Sequence, residues 1–185
     1  MAKHLTTAEL EQGLENILAS PKDKGVLDLI VRRPDVDARE TLTEGRLDGD
    51  QGLVGDNWLS RGSRHLPDGA ADPEMQLNIM NSRVAALVAG TPERRELAGD
   101  QLFLDLDLSD ENLPAGTRLS IGEAVVEVTE PPHTGCKKFA ERFGKDAIVF
   151  VNSGRGKELN FRGINARVVE PGVIRVGDVA RKLQN

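Results

Sequence analysis

Tyrosine is absent from the 185 residues, tryptophan occurs once, and aromatic side chains make up only 3% of the chain. A stacking platform for nucleic-acid bases needs several exposed rings, so this scarcity argues against one. A single cysteine, Cys136, rules out an internal disulfide and fits a reducing cytoplasm better than secretion. The three histidines, His4, His65 and His133, are scattered and lack the ligand spacing of a structural zinc site. No apolar run approaches a membrane span, and the N-terminus lacks the apolar core of a signal peptide. Basic residues are in deficit, 24 Lys and Arg against 30 Asp and Glu, for a net charge of −6. That balance argues against a general nucleic-acid or anionic-membrane binder and leaves room for a local basic pocket. Neither a G-x-G-x-x-G run nor a Walker sequence occurs, so nucleotide-cofactor chemistry lacks its usual motif. The partners expected are a small molecule or cofactor, with no nucleic acid and no membrane; the oligomeric state is left open.

What is present suits one substantial core, with 38% apolar and 29% charged residues. Residues 1–22 read as an N-terminal helical extension. Thr6 and Glu9 have the spacing of a capping box, and Leu10, Leu14, Ile17 and Leu18 recur at helical intervals before Ser20-Pro21. Residues 23–185 read as one β-rich domain. Residues 25–33 form a strand stopped by Pro34, residues 45–55 a Gly- and Asp-rich loop, and residues 56–65 a polar loop. Within that loop Trp58 folds over the core edge, and Arg61 and Arg64 are available to an anionic ligand. A strand at 76–80, a helix at 83–89 capped by Ser82 and stopped by Gly90, and a short helix from Thr91-Pro92-Glu93 to Ala98 come next. Residues 101–108 alternate, with Leu102, Leu104, Leu106 and Leu108 on one face; Asp105 and Asp107 read as its solvated side rather than as paired acids. Residues 118–121 and 124–128 form a hairpin across Gly122-Glu123. Residues 147–151 are apolar and of ambiguous type, and residues 152–157 read as a mobile basic loop. Residues 166–169 and 173–176 close the chain as a hairpin across Pro171-Gly172. Many short strands, tight turns and few helices predict a mainly β fold, a closed or nearly closed β-barrel with a few short peripheral helices.

The chemistry-bearing stretch runs from Pro131 to Gly144, PPHTGCKKFAERFG. Two prolines and a glycine make its first part irregular. From Cys136 the pattern turns helical, with Phe139 and Phe143 four apart and Gly144 at the stop. Cys136 therefore falls at or near a helix start, where unpaired N–H groups and the nearby Lys137, Lys138 and His133 favour a thiolate. Against this stands the ordinary fate of a lone cysteine, a small buried apolar side chain.

The same run, with LPAGTRLSIGEAVVEVTE before it, RGINARVVEPGVIRVGD after it and the turn Gly52-Leu53-Val54-Gly55-Asp56 upstream, resembles the MOSC family. That is the C-terminal domain of molybdenum-cofactor sulfurases, also found as small stand-alone bacterial proteins. The likeness spans about residues 25–178. It implies a β-barrel-like fold and assigns to Cys136 the family's proposed role of carrying sulfur or contacting molybdenum. The chain departs from many members after the Gly-Asp turn, where histidines give way to Asn57 and Trp58. The resemblance further implies molybdopterin as cofactor and a cysteine desulfurase or other sulfur donor as partner. No pyridoxal phosphate is expected on this chain. A pterin phosphate needs cationic donors, and His133, Lys137, Lys138, Arg142, Arg155 and Arg162 are the candidates. Two alternatives stand beside the sulfur carrier: a non-catalytic cofactor- or partner-binding module, and a molybdenum-dependent reductase of N-hydroxylated compounds.

Overall fold

A computed structural model describes residues 4–63 and 66–184. Two short helices, α1 (Thr7–Gln12) and α2 (Leu14–Leu18), precede strands β1 (Lys24–Arg32), β2 (Glu40–Leu42), β3 (Glu44–Asp48) and β4 (Gly52–Leu53). Helix α3 (Trp58–Arg61), strand β5 (Leu77–Asn81), helix α4 (Ser82–Ala89), strand β6 (Leu102–Asp105) and the hairpin β7 (Arg118–Ile121) and β8 (Ala124–Val128) follow. Helices α5 (Lys137–Phe143), α6 (Lys145–Asn152) and α7 (Gly154–Glu158) then lead into β9 (Ile164–Glu170), β10 (Gly172–Arg175) and β11 (Val179–Lys182).

Among the described residues seven strands close a barrel in the order β1, β6, β5, β9, β8, β7, β11, with β11 pairing back to β1. Strand β2 extends β1 outside the ring, and β3, β4 and β10 form a separate small sheet. Closure leaves no barrel edge open to another chain. Alternation along the strands, reset on β1 by a bulge between Leu27 and Leu29, sends Leu27, Ile30, Leu77, Ile79, Leu102, Leu104, Leu119, Ile121, Val126 and Ile164 into one apolar interior. The opposite faces of β1, β5 and β6 supply Val31, Met80 and Phe103 to a second cluster beneath the helices. All five phenylalanines lie in that second cluster. Phe139 and Phe143 meet at 4.8 Å, and Phe150 and Phe161 stack at 5.0 Å. Burying each ring contributes roughly 1.5–3 kcal/mol, enough to hold a two-turn helix that would not form alone.

Several local expectations change in the structure. The N-terminal helix keeps its capping box at Thr6 and Glu9 but breaks at Gly13. Leu10 and Ile17 are buried against the helical layer while Leu18 is exposed. Residues 45–55 are not simply a loop. Gly45 and Leu47 face inward on β3, and Asp48 accepts from the N–H groups of Asp50 and Gln51 to turn the chain into β4. Asn81, not Ser82, caps α4, accepting from the N–H groups of Arg83 and Val84. Residues 152–157 are helical rather than a mobile loop, because the Ser153 hydroxyl caps α7 at Gly156 N–H. The final hairpin does not form: β9 pairs with β5 and β8, whereas β10 leaves the barrel to pair with β3. Asp105 is held by Arg83 at 2.7 Å and Asp107 accepts from Ser109 N–H, so neither acid is free for catalysis.

Candidate functional site

Cys136 is exposed and is the N-cap of α5, its carbonyl accepting from Phe139 and Ala140 N–H while its side chain caps nothing. The residue before it is clamped. Asn152 accepts from Gly135 N–H at 2.9 Å and donates to Gly135 C=O at 3.1 Å. A Cβ at Gly135 would stand 3.1–3.2 Å from side-chain atoms of Val151, Asn152 and Ile148, so any larger residue would push these side chains aside by a few tenths of an ångström. The clamp and the buried Phe139 and Phe143 fix the direction in which the thiol and the cations of α5 are presented.

That direction is a cleft of about 230 Å³ lined by residues from six parts of the chain. Cys136, Lys138, Phe139 and Arg142 come from α5 and its start, and His133 from the loop before it. Arg33, Asp35, Val36, Asp37 and Arg39 come from the connection between β1 and β2, and Asn57 and Arg61 from around α3. Asn78, Ala98, Gly99 and Arg162 complete the floor. Six basic side chains thus converge on one cleft of a protein whose net charge is −6. Such focusing raises the local concentration of an anionic ligand.

The floor is built from two buried ion pairs. Arg33 donates through Nε and Nη2 to the two carboxylate oxygens of Asp56, both at 2.8 Å, and through Nη1 to Asn78 Oδ1 and Gly99 C=O. Asp56, the aspartate of the expected Gly-Asp turn, also accepts from Arg33 and Trp58 N–H, and its side chain is fully buried. The second pair is Arg162 Nη1 on both oxygens of Asp100, at 2.9 and 2.7 Å, with Arg162 Nη2 on Ala98 C=O. Arg162 also lies 5.0 Å over the Phe139 ring, tying this pair to α5. Burial raises the Asp100 carboxyl above its ordinary value, against the pull of Arg162. His133 Nδ1 lies 3.4 Å from Asp100 Oδ1 but makes no hydrogen bond. Burial, followed by repulsion from Arg162 and Arg33, holds the imidazole well below its ordinary value, so it is neutral and the contact is not an ion pair.

The structure separates the expected ligand residues. His133, Lys138, Arg142 and Arg162 line the cleft with Cys136. Arg162 places Nη1 on Asp100 and Nη2 on Ala98, which shapes the floor, while its Nε is buried without a hydrogen-bond partner among the described residues. Lys137 is 92% exposed, lies 3.7 Å from Glu141, and is not in the lining. Arg155 is exposed on α7 and borders neither this cleft nor the neighbouring 360 Å³ cavity on the far side of His133. Arg61 is in the lining; Arg64 and His65 lie outside the described residues. Arg33, Asp37, Arg39, Asn78 and Asp100 carried no sequence signal, since each becomes a site residue only when the barrel closes. No group of three or more His, Cys, Asp or Glu able to hold a metal exists among the described residues. No helix among them is long and apolar enough to cross a membrane.

The family model described as "MOSC domain" matches residues 71–181, more than half of the chain. The chain belongs to the MOSC domain family. This MOSC domain takes Cys136, His133, Lys138, Arg142 and Arg162 from the matched range, whereas Arg33, Arg39 and Arg61 precede it. Solved structures share the fold. YuaD from Bacillus subtilis superposes with a TM-score of 0.63 at 17% identity, covering 87% of this chain and 97% of that one. YiiM from Geobacillus stearothermophilus gives 0.57 at 16% identity, covering 86% of this chain and 75% of that one. YiiM from Escherichia coli gives 0.54 at 20% identity, covering 86% and 70%. No curated protein matches the chain. The family is associated with the molybdenum cofactor, which makes this a molybdenum-cofactor-related domain.

Proposed function

We propose that this MOSC domain binds the molybdenum cofactor in the basic cleft and carries sulfur on Cys136. The observation that supports the reading is one juxtaposition: an exposed thiol opens onto the same cleft as six basic side chains. The donor set suits a phosphate-bearing, polar heteroaromatic ligand. Among the described residues Arg39 Nε, His133 Nδ1 and Arg162 Nε are buried without hydrogen-bond partners, and the floor at Gly99 has no side chain. Arg39, Arg61, Lys138 and Arg142 would hold the anionic end. Cys136 would be at most one protein donor to the metal, since soft thiolates suit it. When bound, such a cofactor supplies a redox-active metal on a pterin carrying a terminal phosphate.

The residues of the chain do the rest. Arg33–Asp56 and Arg162–Asp100 keep the floor rigid, and the Gly135 clamp aims the thiol. In sulfur loading, the Cys136 thiolate attacks the outer sulfur of a donor persulfide. The new Cys136 S–S bond forms as the donor S–S bond breaks, and the donor leaves as its own thiolate. The proposed donor is a separate protein such as a cysteine desulfurase.

The test is to incubate the protein with a cysteine desulfurase and sulfur-labelled cysteine, and to measure molybdenum in freshly isolated material. Wild type should acquire the label and Cys136→Ala should not, with thermal stability changed by less than about 0.5 kcal/mol because the side chain is exposed. Undiminished labelling of the variant would reject the carrier role. Molybdenum without any label would favour cofactor binding with no transfer.

A further inference from the structure

Asp37 occupies the left-handed backbone region with φ 60°, an uncommon place for a residue other than glycine. From there one carboxylate oxygen, Oδ1, accepts from Lys138 Nζ at 2.9 Å and from Arg142 Nη2 at 2.8 Å. The carboxylate is 59% exposed, so the contact spans the cleft mouth from the β1–β2 connection to α5 at the edge of solvent. Two residues further on, Arg39 has no carboxylate within ion-pair distance among the described residues. Among the described residues its one side-chain hydrogen bond goes to the carbonyl of adjacent Ala38, and its Nε is buried without a partner.

Arg39 Nη2 and Arg142 Nη1 each stand 3.6 Å from the point a Cβ on Gly99 would occupy. The two guanidinium tips are thus no further apart than the sum of those distances, over a glycine, and Arg142 Nη1 also donates to Leu97 C=O at 2.9 Å. Gly99 has φ 93°, so a side chain there would be strained as well as in the way. Burial, then repulsion from Arg142 and Arg33, depresses the Arg39 guanidinium below its ordinary value. Of the two carboxylates that the β1–β2 connection brings to the cleft, Asp37 satisfies two of the three cations, while Asp35 accepts from Val36 N–H and pairs with none of them. A purely structural ion pair would not leave the third cation beside it, half-buried and unmatched.

We propose that Arg39, Lys138 and Arg142 form a subsite for a phosphate group, and that the Asp37 carboxylate is an internal competitor which occupies it until such a group arrives. This deepens the cofactor-binding reading and rests on it for the identity of the whole ligand, but the subsite needs neither the thiol nor a metal. A carboxylate offers one oxygen to two cations here. A phosphate offers three terminal oxygens and nearly twice the charge, so it serves Lys138 and Arg142 and also reaches Arg39 in the forked geometry that guanidinium prefers. Asp37, already largely in solvent, swings out with little change in hydration. The exchange favours dianionic phosphates over single carboxylates, which gain no advantage over the residue already in place.

The experiment uses calorimetric titration of metal-free protein in a Cys136→Ala background, so that sulfur loading and phosphate binding fail or succeed separately. The probes are inorganic phosphate and glycerol phosphate, and the variants are Asp37→Asn and Arg39→Gln. Asparagine tolerates the left-handed conformation as well as aspartate does, so the backbone is kept and only the charge is lost. Asp37→Asn should bind inorganic phosphate about tenfold more tightly and Arg39→Gln at least about tenfold more weakly, with affinity falling steeply as salt rises. Melting curves verify that both variants are folded, and Arg39→Lys, which keeps the charge without the fork, should fall between. Asp37→Asn binding no tighter than its parent, or Arg39→Gln binding as well as its parent, would overturn the proposal. Preference for glycerol phosphate assigns the subsite to the terminal phosphate of a larger ligand, and equal affinities assign it to free oxyanion; both outcomes support it.

Discussion

Replacing Asp56 by asparagine removes a charge and almost nothing else. The side chain is fully buried and its two oxygens receive Arg33 N, Nε and Nη2 together with Trp58 N, at 2.8–3.0 Å. Asparagine has nearly the same volume, so no cavity opens, but its NH₂ must face a guanidinium that can only donate. Arg33 is then a buried cation without a counter-charge. Breaking one side of a buried pair costs about 3–5 kcal/mol. Arg33 keeps Nη1 on Asn78 and Gly99, which favours the lower end. For a chain of this size each kcal/mol lowers the melting temperature by about 2–4 °C, so roughly 3 kcal/mol predicts a drop of roughly 6–12 °C. Urea denaturation and calorimetry read both quantities. The double variant Arg33→Met/Asp56→Leu removes both charges and should be more stable than Asp56→Asn alone, because the orphaned cation and not the missing bonds dominates the loss. A loss under about 1 kcal/mol for Asp56→Asn, or a double variant worse than the single one, would refute the reasoning: the pair would then be hydrated rather than buried.

Two further outcomes follow from the other buried pair. Arg162→Gln should destabilise by roughly 3 kcal/mol at neutral pH, since it strands the fully buried Asp100. Asp100 has a raised carboxyl in the folded state, so the folded chain takes up this proton more readily than the unfolded chain. Its contribution is present at low pH and is lost as pH rises through the folded value, so the Arg162→Gln deficit should shrink on mild acidification. His133 runs the other way. Its folded value lies well below 6.5, so its contribution is present above about 6.5 and is lost as pH falls from there through the folded value. His133→Gln should flatten the stability profile of the protein across that window, and an unchanged slope would mean that the imidazole is not buried.

Much of the fold was legible because strand alternation is a local signal. The hairpin at 118–128 depends only on neighbours in sequence, and its two strands lie where their residue pattern placed them. The capping box at Thr6 and Glu9 is equally local. Errors fell where the deciding partner was distant. β10 looks like the return arm of a hairpin until β3, well over a hundred residues away, claims its hydrogen bonds. Residues 179–182 are too few and too mixed in polarity to announce a strand, yet β11 closes the barrel between β1 and β7. The 152–157 segment looked mobile because its glycines hid a Ser153 cap.

The site divides along the same line. The presence of an irregular loop, a cysteine and a short cationic helix at 131–144 was written in residue types whose preferences act over a few positions: proline, glycine, and aromatics four apart. The presence of Arg33, Asp37 and Arg39 around that cysteine was not, since each is an ordinary loop or strand-end residue until barrel closure brings the β1–β2 connection across the start of α5. Local conformation costs little information because it depends on short-range sterics and hydrogen bonds. Convergence of like charges from separate segments is imposed only by a packed core strong enough to overcome their repulsion, and that is decided by the tertiary structure.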